Sequence, residues 1–439
     1  MRLTHALILV VLIFVSSATV SAQQSAHPPI RPSADASAAA SIKIYLMTMG
    51  PGDAVYERFG HNALWLHDPT RRPDSVDIAW NWGLFDFDQP GFLRRFIKGD
   101  MLYWMAGFDA QRTLDAFARE NRSVWAQELN LTPEQKLALR DFVQWNGRDE
   151  NKFYHYDYYR DNCTTRVRDA LDTVLHGQIR EATAAKPTGT TYRSHTRILT
   201  EGDVPVYTGL ELAMGHNIDK PLSAWEEMFL PMELRDHLRT LRVRDSLGHD
   251  IPLVLAETQL YRAQRGPEPT APPRWTGFYF LAAFLFGGVL FVLSLGALGG
   301  NKAARFAFTF LATLWSFIVG FVGVLITFLW LFTDHYVTYK NENVLQINPL
   351  PLVLAVLIPW FVYRARARKN VIRLAYTIVL LSVIGFVMQI LPWFDQVNGE
   401  IVALMLPMHL AIAWSLTILA HPDFFRIKAE LAPERMPGR

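Results

Sequence analysis

The chain has 439 residues, of which 50% are hydrophobic, 13% aromatic and 19% charged, and its formal net charge is +2 at pH 7. This composition is too apolar for an ordinary soluble enzyme, so it predicts a membrane-embedded part. The small net charge gives no electrostatic reason to expect a nucleic-acid partner. The single cysteine excludes an internal disulfide framework.

The N-terminus, residues 1–22, has the pattern of a secretory signal peptide. Arg2 precedes an apolar run of about a dozen residues, and small residues end at Ala22. An uncleaved membrane anchor is the alternative interpretation, and either one exports the residues that follow. Residues 23–41 are rich in Ala, Ser and Pro, which is typical of a flexible spacer.

Residues 42–262 have the mixed character of a globular domain, which the leader predicts to be exported. Segments rich in β-branched and aromatic residues predict a sheet of about five strands. These segments are residues 42–49, 61–68, 75–85, 101–107 and 124–131. Residues 132–145 predict a helix, because Thr132 can cap it and Gln135 completes a capping box. The predicted fold class of this domain is α+β.

A proline-rich linker at 263–275 leads into five apolar segments. Each is close to the length of about 20 residues that a membrane-spanning helix needs. The segments are Gly277–Leu298, Phe306–Phe332, Ile347–Tyr363, Val371–Leu391 and Ile401–Ala420. We therefore predict a transmembrane bundle over residues 276–420.

Basic residues in the short loops predict the orientation of this bundle. They lie between segments one and two, between segments three and four, and in the tail 421–439, whereas loops 333–346 and 393–400 together contain one lysine. Basic loops remain in the cytoplasm. Loop 333–346 is therefore predicted to share a face of the membrane with the exported domain, and the tail is predicted to be cytoplasmic.

The only cysteine, Cys163, lies in the stretch "YYRDNCTTRVRDAL". Asn162 is a favoured N-cap, so a helix is predicted to begin at Cys163. Apolar residues then recur at helical spacing, at Val167, Ala170, Leu171 and Val174. Free backbone N–H groups at the helix start, with Arg160 and Arg166 nearby, lower a thiol pKa. We predict a nucleophile here in preference to a small buried hydrophobic residue.

A cysteine nucleophile needs a base, which is usually a histidine. His61 follows Gly60 at the start of a predicted strand, a position that suits a cleft, and His155 is the alternative. The chain has no CxxC or HExxH spacing, so no metal site is predicted. Phosphate-loop and dinucleotide fingerprints are also absent, so no cofactor is predicted.

Five stretches of the exported domain carry a family resemblance: "RFGHNALWL", "NWGLFDFDQPGFLRRFIKG", "LNLTPEQ", "YDYYRDNCTTRVRD" and "DKPLSAWEEMFLP". In this order they resemble bacterial lipoprotein N-acyltransferases of the Lnb type, over about residues 42–240. The membrane region is similar more loosely, mainly through residues 334–350. The resemblance implies a permuted papain-like domain of the NlpC kind, with His61 as general base and Cys163 as nucleophile.

The resemblance also implies a function and a location. The expected enzyme moves a fatty acyl group from a phospholipid, through a cysteine thioester, to the N-terminal amine of a diacylglyceryl-cysteine lipoprotein. It is expected in the bacterial inner membrane, with the catalytic domain on the periplasmic face. A membrane-anchored cysteine hydrolase of peptidoglycan or lipid esters is the alternative, and a non-catalytic sensor is a third possibility.

The polar loop 333–348 lies between two apolar segments on the predicted outer face. We predict that His335, Asn341 and Asn343 bind a lipid headgroup or position the acceptor amine there. A solvated connector is the other interpretation of this loop.

Overall fold

The computed structural model describes residues 36–266, 268–364 and 368–421. The predicted signal peptide, most of the predicted spacer and nearly all of the predicted tail lie outside these residues. The predicted fold class is confirmed: an α+β domain precedes five helices that are long and apolar enough to cross a membrane.

The N-terminal domain combines short strands with short helices. Its strands are β1 (Lys43–Met49), β2 (His61–His67), β3 (Asp77–Leu84), β4 (Leu102–Asp109), β5 (Val124–Leu129), β6 (Phe153–His155), β7 (Arg242–Arg244), β8 (Asp250–Pro252) and β9 (Val254–Tyr261). Its helices are α1 (Ala36–Ser41), α2 (Phe92–Lys98), α3 (Ala110–Arg119), α4 (Pro133–Asn146), α5 (Cys163–Val174), α6 (Gln178–Thr183), α7 (Tyr192–Thr200), α8 (Val204–Ala213), α9 (Ala224–Glu227) and α10 (Pro231–Thr240).

One antiparallel sheet organises this domain, with strand order β6-β4-β3-β2-β1-β5-β9. Strands β1 to β5 are the five predicted from the sequence. The sheet is wider than predicted, because β6 and β9 add one strand at each edge. The three residues of β6 are too few for a periodic pattern, and β9 joins from a distant part of the chain.

Both faces of the sheet are covered by helices. On one face, Ile44, Leu46 and Leu64 pack into the main core with residues of α4 and α5. On the other face, Met47 and Ala63 pack against α3. Because side chains alternate along a strand, the two cores share the same central strands.

The two predicted helix starts are present as hydrogen-bonded caps. Thr132 Oγ1 accepts from the Gln135 N–H at 3.3 Å, and Gln135 Oε1 accepts from the Thr132 N–H at 2.9 Å. Helix α5 begins at Cys163, capped by Asn162. Within the range predicted as spacer, α1 forms a short helix whose Ala39 is fully buried in the main core.

The membrane part is a bundle of long apolar helices. Its helices are α11 (Thr276–Leu298), α12 (Lys302–Phe332), α13 (Leu350–Arg364), α14 (Arg368–Met388) and α15 (Gly399–Ala420). The third candidate span begins earlier, at Glu342, so it includes the turn before α13. Pro351 lies in the first turn of α13, where a missing N–H is tolerated.

The N-terminal domain contacts one end of the bundle, called here the outer end. Asn341 Nδ2 donates to the Leu212 and Ala213 carbonyls at 2.7 and 3.1 Å, and Asn343 Nδ2 donates to the Glu211 carbonyl at 2.9 Å. The loop 333–349 therefore lies against the N-terminal domain, in agreement with the topology predicted from the basic loops.

A second group of contacts joins the domain to the start of α15. Tyr207 donates a hydrogen bond to Glu400 at 2.7 Å, and Arg197 donates to the Val397 carbonyl at 2.9 Å. Gln396 Nε2 donates to the Met214 carbonyl at 3.0 Å. These polar contacts need defined geometry, so they set the orientation of the domain on the bundle.

Replacing both Asn341 and Asn343 by alanine tests this docking. The change leaves buried carbonyls of α8 unpaired, at a cost of about 1–3 kcal/mol each. We expect faster amide hydrogen exchange in α8 of the full-length protein in detergent. The control is Asn301→Ala, which removes the N-cap of α12 at the end of α12 that is far from Asn341 and Asn343. We expect this variant to leave hydrogen exchange in α8 unchanged. Normal α8 exchange in the double variant would contradict the docking role.

Candidate active site

Cys163 is the first residue of α5 and is partly exposed. The Asn162 side chain accepts the N–H groups of Thr164 and Thr165, both at 2.9 Å. These two amides are therefore occupied, although the sequence predicted free amides at the helix start. The Cys163 N–H has no acceptor within the described part of the chain. It is the helix-start amide that remains available to a ligand.

His61, the first residue of β2, is the histidine that reaches the thiol. Burial raises the pKa of the Cys163 thiol, but this effect is outweighed by the charge of His61 and by hydrogen bonds from the His61 ring and the Asn62 backbone. The resulting pKa falls from the ordinary 9.0 to about 7. A substantial fraction of Cys163 is therefore thiolate near neutral pH.

Asn81 in β3 orients the His61 ring. His61 Nε2 donates to Asn81 Oδ1 at 3.0 Å, while Asn81 Nδ2 donates to the Ala79 carbonyl at 2.9 Å. The second bond fixes which end of the buried amide faces the histidine. Because the proton of the neutral ring is held on Nε2, Nδ1 keeps a lone pair that can accept the thiol proton.

Asn81 was not identified from the sequence. Asn81 pairs with Ala63 across the two strands, so it lies diagonal to His61 on the same face of the sheet. The available signal was a buried amide inside the apolar strand "DIAWNWGL". That signal gains meaning only once the strand register is known.

Gly83 allows α5 to approach the sheet. It has φ +88°, a conformation that favours glycine, and it lies where the pairing of β3 with β4 is irregular. A Cβ at this position would lie 3.2 Å from the Cβ of Cys163. The glycine therefore leaves the space that the cysteine occupies.

Arg122 supplies a buried positive charge near the thiol. Its guanidinium lies 4.6 Å from the centre of the Phe117 ring, and the same ring stacks on His61 with 5.8 Å between the ring centres. Arg122 Nε donates to the Gly50 carbonyl at 2.9 Å. Burial lowers the pKa of Arg122, and nearby carboxylates and the Cys163 thiolate oppose that effect.

The arginines predicted to activate the thiol have other partners. Arg166 makes two hydrogen bonds to Asp161, at 2.5 and 2.6 Å, and Arg160 makes two to Asp157, at 3.1 and 2.8 Å. Each cation is neutralised by its own carboxylate. The sequence therefore missed Arg122, whose position near the thiol depends on long-range packing.

The alternative base, His155, lies at an edge of the sheet. It pairs with Asp100 at 2.7 Å, and 71% of its side chain is exposed. His335 donates from Nε2 to the Phe96 carbonyl at 2.8 Å, and its ring stacks on Tyr158. The structure therefore brings His61 to Cys163 and leaves His155 outside the site.

The structure places Asn341 and Asn343 in the contact between the loop and the N-terminal domain. Both side chains are buried, and both amide nitrogens donate to carbonyls of α8. These donors are therefore used in docking the N-terminal domain, and a ligand-binding role for the two side chains stays a prediction.

Among the residues that the structure describes, two groups of side chains have ligand atoms close enough to hold a metal ion. They are His216 with Glu342 and Asp395, and Glu227 with Glu233 and His237. In the second group, burial raises the pKa of Glu227, but hydrogen bonds from His195, His237 and Thr190 outweigh it and lower the pKa. Cys163 and His61 belong to neither group, so the chemistry proposed for the thiol does not involve them.

Family models match both parts of the chain. Residues 32–197 match the Lnb N-terminal periplasmic domain, and residues 277–421 match the Lnb transmembrane domain. No curated protein and no solved structure gives a significant match to this chain.

The pH dependence of thiol alkylation tests the contact between His61 and Cys163. In the unsubstituted protein we expect the iodoacetamide rate to rise with pH with a midpoint near 7, because the thiol ionises there. His61→Gln removes the charge that favours the thiolate, so its midpoint rises toward the ordinary thiol value of 9.0. The rate at pH 7 then falls by about tenfold or more. An unchanged midpoint in His61→Gln would show that the two groups do not interact.

Asn81→Ala tests the orienting hydrogen bond. Without its acceptor the His61 ring is free to rotate, so the alkylation midpoint rises, but by less than in His61→Gln. Asn146→Ala is the matched control, because Asn146 is a buried asparagine that binds Trp82 and not His61. We expect the control to lower thermal stability while keeping the midpoint near 7. Equal midpoints in the two asparagine variants would exclude an orienting role for Asn81.

Proposed function

The chain belongs to the Lnb family, and on that premise we propose that it is a cysteine-dependent N-acyltransferase of lipoprotein maturation. The donor is a membrane phospholipid, and the acceptor is the N-terminal amine of a diacylglyceryl-cysteine lipoprotein. The observation that carries the proposal is the activated thiol: His61 contacts Cys163 and lowers its pKa. The domain that holds this pair is docked on a membrane bundle.

In the first half-reaction, the Cys163 thiolate attacks the ester carbonyl of the phospholipid. His61 takes the thiol proton on Nδ1, and the Cys163 N–H lies where it can stabilise the oxyanion of the tetrahedral intermediate. The ester C–O bond then breaks, and His61 returns the proton to the leaving alkoxide. The products are a thioester on Cys163 and a lysophospholipid.

In the second half-reaction, the neutral amine of the lipoprotein attacks the thioester carbonyl. His61 accepts a proton from the amine, the C–S bond breaks, and Cys163 leaves as a thiolate. The product is an amide, and the enzyme returns to its starting state. A thioester suits this sequence because it reacts readily with amines.

We infer the cellular location from the N-terminal domain and the membrane bundle. The chain is a membrane protein with an extracytoplasmic domain. We place it in the bacterial inner membrane, with the thiol on the periplasmic side. Both proposed substrates carry acyl chains in that membrane, so an enzyme fixed at its surface meets them without extracting either one.

Intact-mass analysis of the full-length protein in proteoliposomes tests the proposal. With phospholipid present and acceptor withheld, we expect one acyl adduct on Cys163, which the single cysteine makes unambiguous. Adding a synthetic diacylglyceryl-cysteine peptide removes the adduct and yields the N-acyl peptide. We expect Cys163→Ala to form neither species, because the nucleophile is absent.

The matched control is the same peptide with its α-amine acetylated, which leaves the adduct in place. Release of free fatty acid, with no N-acylation of the amine peptide, would identify a hydrolase and contradict the proposal. Absence of any adduct in the unsubstituted protein would also contradict it.

A further inference from the structure

Helix α2 exposes apolar side chains that the fold does not use. None of its residues is buried. Leu93 is 68% exposed, and Phe96 and Ile97 are also exposed. Just before the helix, Phe87 is 69% exposed. We call residues 85–98 the interfacial segment. Exposed apolar groups gathered in this way are typical of a contact surface.

The interfacial segment meets the point where α12 leaves the bundle. The Asp334 N–H donates to the Lys98 carbonyl at 2.6 Å, and the side chains of these two residues pair at 3.4 Å. His335 binds the Phe96 carbonyl. The candidate span of α12 ends at Phe332, so the outer membrane–water boundary is expected at the level of this segment.

A row of stacked aromatic rings connects this segment to the active site. Phe96 contacts Phe92 at 6.1 Å, and Phe92 contacts Phe85 at 6.3 Å. Phe85 stacks on Tyr103 at 5.1 Å, and Tyr103 stacks on Tyr156 at 4.2 Å. The Cys163 thiolate in turn raises the pKa of Tyr156, an effect second to burial. We call these five rings the aromatic row.

The charges of the segment suit a phospholipid headgroup. Arg94 is exposed and Arg95 is partly exposed, and neither forms an ion pair with any residue that the structure describes. Amphipathic helices that bind at the membrane interface place their apolar groups among the acyl chains and their cations near the phosphates. The segment has this composition.

We propose that the interfacial segment inserts into the outer leaflet and that the aromatic row guides the acyl chain of a glycerophospholipid toward Cys163. The segment contacts the end of the membrane bundle at Asp334, so the lipid that surrounds the bundle also reaches the segment. The role of the lipid as acyl donor rests on the proposed function, whereas insertion of the segment does not.

Depth-dependent fluorescence quenching tests insertion in the full-length protein. Cys163→Ser removes the only native thiol, and Leu93→Cys then provides one labelling site. In proteoliposomes of acyl-brominated phospholipid, we expect an environment-sensitive dye at position 93 to be quenched. The control is Leu247→Cys, in the turn between β7 and β8, where the native side chain is 78% exposed. Equal, weak quenching at both positions overturns the proposal.

A second variant tests delivery of the lipid. Leu93→Asp combined with Ile97→Asp places charges in the inserted face, so acylation of Cys163 from vesicle phospholipid slows by about tenfold or more. Alkylation of Cys163 by iodoacetamide stays unchanged, and Leu247→Asp alters neither rate. Normal acylation in the double variant overturns the delivery role. Absence of acylation in the unsubstituted protein overturns the proposed function, and quenching at position 93 still decides insertion.

Discussion

The close approach of α5 to the sheet at Gly83 is the contact on which the rest of the site depends. It places the first turn of the helix directly on strand β3, with no side chain between Cys163 and the strand. Only then does β2 bring His61 within reach of the sulphur. Asn81 belongs to the same strand as Gly83, so the groups that position the helix and the histidine share one short stretch of backbone.

Features that depend on neighbouring residues could be predicted from the sequence. The Thr132 capping box, the start of α5 at Cys163 and strands β1 to β5 all follow from local patterns of capping, burial and β-branched content. The five membrane helices follow from their apolar length. In each case the physical cause lies within a few turns or one strand of the residue itself.

Features that depend on register or on distant packing could not be predicted in this way. Asn81 faces His61 because of how β2 and β3 pair. Arg122 reaches the vicinity of the thiol through long-range contacts, with the Gly50 carbonyl and with the Phe117 ring that also stacks on His61. The partners of Asn341 and Asn343 could not be predicted either, because a polar side chain in the sequence indicates that a hydrogen-bond partner is needed but does not identify that partner. The sequence predicted Cys163 as the nucleophile and favoured His61 over His155 from its position at a strand start, and the family resemblance then implied His61 as the base.

The absence of a second cysteine affects how the protein responds to oxidation of Cys163. A partly exposed thiolate is readily oxidised to sulfenic acid. With one cysteine in the chain, no internal disulfide can form to protect that state from further oxidation. Recovery then depends on a reductant or thiol supplied from outside the molecule, before the sulfur passes irreversibly to the sulfinic acid. The same low pKa that suits Cys163 to the proposed acyl transfer therefore also makes its activity depend on the redox state of its surroundings.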